Sequence, residues 1–301
     1  MIIYLKNREI DRKLWDTCIR NSRVLKPYAC SWFLDIMAPG WEALIDDEYD
    51  SVFPLPVRKK IGIKYVTTPV FLQQLGAFSP DKSPEKAINE FLDYLPEFYK
   101  FFDLCIGQKV ERDGFKVFER ANYELDLSRP YEVLWNNFSH SCCRNIEKAE
   151  RKGIEFTYDI QPEQLIELFI RTKKKIIKGI KQRDIERLLN LMKFSIKQEK
   201  GRIEGVTASD KSLLFGQFYF NLPGYINLFF GVNTADSREG RFNYYFINKI
   251  IKENAGKEII LDFAGSSIPS VASFMESFGS VNNPYYRIYK NSLPWPLKML
   301  K

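Results

Sequence analysis

Three strand-like runs, Arg202 to Ala208, Ser212 to Phe220 and Tyr225 to Phe230, follow one another with only three or four residues between them. The connections carry Ser209-Asp210-Lys211 and Pro223-Gly224, residues that favour turns. A connection that short cannot return the chain to start a parallel strand, which takes a dozen residues or more. The run is therefore predicted to be an antiparallel meander. The period then changes. A helix is expected from about Gly240 to Asn254, a buried strand at Ile259 to Phe263, a short helix at Ile268 to Phe278 and a last strand at Val281 to Tyr289. Before the meander, a helix opens at Ser128-Arg129-Pro130 and runs to Gly153. A strand at Ile154 to Tyr158 and amphipathic helices at Pro162 to Lys173 and Arg183 to Gln198 follow. The basic run Lys173-Lys174-Lys175 to Lys181 joins those two helices.

The first half has a shorter order of the same type. A hairpin is expected around Asp46-Asp47-Glu48, a strand at Tyr65 to Thr68, an extended segment from Pro69 to Gly76, and a helix starting at Ser83-Pro84-Glu85. A chain of 301 residues suits two cores better than one. The fold class expected is mixed α/β: two domains, 1–127 and 128–301, each a mostly antiparallel mixed sheet flanked by helices. The second would begin with a bridging helix.

The composition excludes several chemistries. There is one histidine, His140, so a Ser-His-Asp triad or a His-rich metal site would hang on that residue alone, and no metal is expected. Five cysteines, with no C-x-x-C spacing, argue against a disulfide framework and for a reducing, cytoplasmic location. Charge comes too early after Met1 for a signal peptide, and no apolar run approaches the ~18 residues that span a bilayer. The segment Leu293 to Lys301 is apolar and basic; it reads as a tail packed on the domain, with a membrane-surface contact as the alternative. A net charge of +7 suits an anionic ligand.

Several constellations could carry function. Arg144, Lys148, Arg151 and Lys152 share one helix face and could hold phosphates, or form a solvated face with Glu147 and Arg151 paired. Asp262 ends a buried strand before Ala264-Gly265-Ser266-Ser267, where it could act as a general base; Ser267 is expected to cap the helix that follows. Phe71, Gln73 and Gln74 could contact a peptide-like or sugar acceptor, or sit on an edge strand facing water. Cys142 and Cys143 are expected to pack.

The order of elements in the second half resembles a GNAT-type acyltransferase domain. The stretches Tyr123 to Leu127, Cys143 to Ile154, Pro69 to Gly76, and Ile260 to Ser266 with Phe274 and Phe278-Gly279 resemble the Fem-type branch of that superfamily. The resemblance implies two GNAT-like domains and transfer of an acyl or aminoacyl group to a small-molecule or peptide-like amine, such as a cell-wall precursor. The donor would be an acyl-CoA or an aminoacyl-tRNA, with tRNA a candidate partner. It further implies a donor site on the strand Tyr225 to Val232 and the loop Asn233 to Arg241, with Phe230, Val232, Arg238, Gly240, Arg241 and Ser266 as contacts. The loop Ser237-Arg238-Glu239-Gly240-Arg241-Phe242 keeps only Gly240 of the usual CoA-binding pattern. Asp262, Tyr244, Tyr245 or a water would handle the proton. The alternative is a non-catalytic ligand-binding module on the same scaffold.

Overall fold

The computed structural model describes residues 1–22, 26–46, 48–172, 179–266 and 268–300. The chain divides into two compact units: unit 1 is Met1–Arg120 with Pro284–Lys301, and unit 2 is Ala121–Asn283.

Unit 1 contains β1 (Ile2–Leu5), α1 (Arg12–Asn21), α2 (Ser31–Met37), β2 (Glu42–Asp46), β3 (Val52–Leu55), β4 (Val57–Lys60), β5 (Ile63–Thr67), α3 (Pro84–Asp93), β6 (Phe101–Ile106), β7 (Lys116–Arg120) and the last strand of the chain, β14 (Tyr285–Asn291). Helix α1 starts where the Asp11 carboxylate accepts the N–H groups of Lys13 and Leu14, at 2.8 and 3.1 Å. Two sheets form, β1-β2-β3 and β4-β5-β6-β14-β7. Alternation along β6 buries Phe102, Leu104 and Ile106 and leaves Asp103 and Cys105 half-buried, so one face of the larger sheet carries the core. Trp15 and Trp41 meet edge-on at 4.6 Å, and both are fully buried.

Unit 2 contains β8 (Tyr123–Asp126), α4 (Tyr131–Asn136), α5 (His140–Glu150), α6 (Pro162–Thr172), α7 (Gln182–Lys197), β9 (Gly201–Thr207), β10 (Leu213–Leu222), β11 (Tyr225–Asn233), α8 (Ala235–Gly240), α9 (Phe242–Asn254), β12 (Ile260–Asp262), α10 (Pro269–Glu276) and β13 (Val281–Asn282). They build one sheet in the order β13-β8-β12-β11-β10-β9. The meander is present as β9, β10 and β11, paired antiparallel; β12 joins β11 in parallel. The core between sheet and helices gathers Leu134, Ile146, Phe215, Ile226, Phe246, Ile250, Leu261 and Phe278.

The structure differs from the sequence reading in four places. The division falls at Ala121 rather than after Leu127, because β8 pairs with β12 and β13; the final strand belongs to unit 1, where β14 lies between β6 and β7. The bridging helix is two helices. Ser139 breaks it: its N–H is taken by Ser277 O at 2.8 Å, and its hydroxyl caps α5 by accepting the Cys142 N–H at 3.2 Å. Pro69 to Gly76 is not an extended strand; Phe71 is left-handed (φ 67°), and only Leu75 bridges to Ile106. Of Ile154 to Tyr158, only Thr157 bridges to the sheet, at Gly205. Ser267 and Lys173-Lys174-Lys175 lie outside the described residues. Among the described residues no helix is long and apolar enough to cross a membrane.

Candidate functional site

Two irregularities of β11 open a site in unit 2. The first is a bulge. Phe218 stands opposite Phe230 but Phe220 stands opposite Asn227, so two steps along β10 face three along β11. The extra residue reverses the phase of the strand. Before it, Ile226 and Leu228 join the core with Phe246; after it, Gly231 and Asn233 lie on that side instead, opposite Gln217 and Phe215.

The second is divergence from the neighbouring strand. β12 pairs with β11 only over Tyr225–Asn227. It then leaves at a turn built on Asp262, whose Oδ1 accepts the Ala264 N–H at 2.7 Å and whose Oδ2 accepts the Tyr225 hydroxyl. Ala264 and Gly265 both take left-handed backbone, with φ of 59° and 44°. Gly265 is required there: a Cβ would stand 2.2 Å from Ala121 O and 2.7 Å from Asn122 Cα. Among the described residues the far half of β11 thus has no partner strand on the β12 side. Thr234 N–H bonds Leu214 O at 3.0 Å. Antiparallel alternation then gives the backbone groups of Val232 and Phe230 to β10 and turns those of Gly231 and Asn233 into the gap.

The gap is a cavity of about 590 Å³. Leu228, Gly231 and Asn233 form one wall; Arg241, Asn243, Tyr244 and Ile247 at the start of α9 form a second; Ser270, Val271 and Phe274 of α10, with Phe263, close the third. Two cations stand at the α9 end. Arg238 donates to Asn233 O at 3.1 Å, and Arg241 is left-handed (φ 62°) at the junction of α8 and α9. No side chain caps α9. Its first N–H groups and the positive end of its dipole therefore add to the two guanidinium groups. Gly240 allows the tight junction, since a Cβ there would lie 2.2 Å from the Phe242 ring. Tyr244 packs edge-on against Phe274 at 4.7 Å. Burial raises its pKa, against the pull of Arg241 and an Asn145 hydrogen bond; its phenol stays protonated at neutral pH.

Several sequence-predicted residues meet here: Arg238 and Arg241 line the cavity, and Gly240 is buried at the end of α8, next to Arg241. Others do not. The bulge turns Phe230 to the opposite face, against Phe169 of α6 at 5.1 Å, and Val232 is fully buried. Tyr245 packs on Phe156 at 5.4 Å, while its neighbour Tyr244 faces the cavity. Asp262 is fully buried under the turn it holds and is not part of the lining. Ser266 accepts the Ile268 N–H at 3.1 Å. Arg144 and Lys148 are exposed on α5, outside the lining, and Arg151 pairs with Glu147 at 3.4 Å.

Phe71, Gln73 and Gln74 belong to unit 1. There Gln73 Oε1 receives the Tyr28 hydroxyl and Gln74 Nε2, both at 3.4 Å, and Gln74 is 4% exposed. Gly231 and Asn233 fall within the expected donor strand and loop but were not singled out; Asn243 and the α10 wall were missed. A glycine inside a strand, at Gly231, was the signal that could have found them.

The architecture is a mixed α/β fold of the kind seen in FemX. It is similar to FemX, with 14% identity over 98% of this chain and 99% of the other and a TM-score of 0.66. It is also similar to a conserved protein of unknown function from Bacteroides thetaiotaomicron (12% identity, 96% and 99% covered, TM-score 0.60). A third is the C-terminal domain of a putative lysylphosphatidylglycerol synthetase from Agrobacterium fabrum (8% identity, 96% and 94% covered, TM-score 0.56). No family model and no curated protein matches the sequence.

Proposed function

We propose that unit 2 is the catalytic unit of an acyltransferase that moves an acyl or aminoacyl group from a phosphate-bearing donor, an acyl-CoA or an aminoacyl-tRNA, to an amine. One observation carries the reading: β11 and β12 part over a cavity of about 590 Å³ that has backbone groups on one wall and two arginines at a helix start on another. Arg238, Arg241 and the open N-terminus of α9 offer a seat for donor phosphates. The amine attacks the acyl carbonyl, and the negative charge that develops on its oxygen is met by the Gly231 or Asn233 N–H. As the tetrahedral intermediate collapses, the bond to the donor sulfur or ribose oxygen breaks. The leaving group takes the Tyr244 phenol proton, while the attacking nitrogen loses its own proton to water, which returns a proton to the Tyr244 phenolate. Asp262 supports the reaction by holding the turn at which the chain leaves β12 and the gap beside β11 opens, and rate enhancement comes mainly from positioning. Arg144 and Lys148, exposed on α5 of the same unit, are assigned to substrate phosphates.

The test is a transfer assay by mass spectrometry, with acyl-CoAs and aminoacyl-tRNAs as donors and peptide and amino-sugar amines as acceptors, together with calorimetric donor binding. Arg241→Glu should weaken donor binding at least tenfold. Tyr244→Phe should lower kcat with donor affinity kept. A folded protein that binds none of these donors and yields no transfer product sinks the reading.

A further inference from the structure

In unit 1 the β4–β5 hairpin turns at Ile61-Gly62, both left-handed, with φ of 49° and 76°. A β-branched residue is a costly choice there, where Asn, Asp or Gly fits. The Ile61 side chain is also 77% exposed, so core packing does not explain it. The C-terminal segment stands next to this tip. Leu293 and Leu297 turn inward and, with Ile61, Ile63, Tyr65 and Phe101, line a shallow apolar depression of about 50 Å³. Trp295, between those two leucines, turns outward and is 80% exposed.

The charge carried by the two segments has one sign. Val57 to Tyr65 contains Arg58, Lys59, Lys60 and Lys64; Ser292 to Lys301 contains Lys298 and Lys301; neither segment contains an Asp or Glu. Lys64 is engaged by Glu42 at 2.6 Å, while Lys59, Lys60 and Lys298 are exposed.

We propose that the β4–β5 tip and the Leu293–Lys298 segment form a docking surface for an anionic lipid bilayer, with Ile61 and Trp295 entering the interface and the lysines meeting lipid head groups. An indole and a branched aliphatic tip set among lysines have the composition of an interfacial anchor. A second copy of the chain would bring like charges together. A nucleic acid would use ring faces and cations, and gives Ile61 nothing to do. The depression is too small to hold a folded ligand. This surface lies in unit 1 and does not depend on the acyl-transfer reading.

The test is co-sedimentation of the full chain with phosphatidylcholine vesicles, with and without about one third phosphatidylglycerol. Wild type should bind the anionic vesicles at least tenfold more tightly than the neutral ones, and less tightly as salt rises. Lys59→Gln and Lys60→Gln should each weaken binding about fivefold, the equivalent of ~1 kcal/mol per lysine near a charged membrane. Ile61→Gly suits the left-handed turn better than Ile61 does, so the fold is kept while the anchor is removed; combined with Trp295→Ala it should weaken binding at least tenfold. A blue shift of tryptophan emission on vesicle addition should vanish in Trp295→Phe. Wild type that ignores anionic vesicles, or binding unchanged in the Ile61→Gly/Trp295→Ala variant, overturns the proposal.

Discussion

Gly265→Ala tests the turn that opens the cavity. The new Cβ would stand 2.2 Å from Ala121 O and 2.7 Å from Asn122 Cα, both backbone atoms of the segment leading into β8. Backbone held by a sheet does not move aside as a side-chain tip does. Holding alanine at a φ of 44° costs about 1 kcal/mol. Relieving the overlap by shifting backbone costs a further ~1–3 kcal/mol. A loss of about 3 kcal/mol follows, which in a unit of this size lowers its melting temperature by roughly 6–12 °C. Gly231→Ala is the matched control. Its Cβ would also meet an atom at 2.2 Å, but that atom is Gln217 Oε1, the end of a flexible side chain, and Gly231 is not left-handed. Its expected cost is under ~1 kcal/mol; its effect should fall on donor binding, because the methyl group enters the cavity. Scanning calorimetry of both variants beside wild type reads the contrast. A Gly265→Ala protein within ~1 kcal/mol of wild type, or equal losses in the two variants, would refute the argument that close backbone approach fixes this residue.

Three further outcomes follow. Burial would raise the Glu42 pKa, but hydrogen bonds from Lys64, Tyr4 and Tyr99 outweigh it and hold the pKa below the usual carboxylate range. The stability this confers is complete above the unfolded value near ~4.3 and is lost as pH falls below it, so Glu42→Gln should flatten the acid limb of a stability–pH curve. Glu204, 1% exposed, bonds the Tyr219 hydroxyl and, at 2.8 Å, Lys249; Glu204→Ala leaves the buried Tyr219 hydroxyl without this acceptor and Lys249 with the more exposed Glu253 at 3.0 Å, and should cost about 1–3 kcal/mol by urea unfolding, against far less for the exposed Lys193–Glu163 pair. Lys249 gains from the same contact. Burial pulls its pKa down, yet bonds to Glu204, Tyr158 and Glu253 raise it, so its contribution persists through neutral pH and fades only as pH rises past the ordinary lysine range near ~10.4; alkaline unfolding of Lys249→Met should lack that step.

The local grammar of this fold was legible in the chain. Turns at Ser209-Asp210-Lys211 and Pro223-Gly224 forced the meander, and Ser83-Pro84 marked the start of α3. What escaped was whatever depends on a distant partner. The bulge in β11 has no signature in Leu228-Phe229-Phe230; it exists only in the register against β10, and it exchanged Phe230 and Val232 for Gly231 and Asn233. Asp262 reads as an isolated acid at a strand end because Tyr225, which fills its second oxygen, lies 37 residues away. Tyr244 and Tyr245 are adjacent, and only the packing of α9 on Phe274 and Phe156 decides which phenol faces the cavity.

The placement of β14 has a consequence for synthesis. Arg120, the last residue of β7, is paired across the ladder with Tyr285, the first of β14, so the chain leaves the unit 1 sheet and returns to it at one rung. On the ribosome the first 120 residues emerge without the strand that joins β6 to β7, and they wait, at ~5–20 residues per second, while the whole of unit 2 is made. The later unit can therefore finish folding before the earlier one, and a stall anywhere before residue 285 leaves β6 and β7 with open edges exposed to other nascent chains.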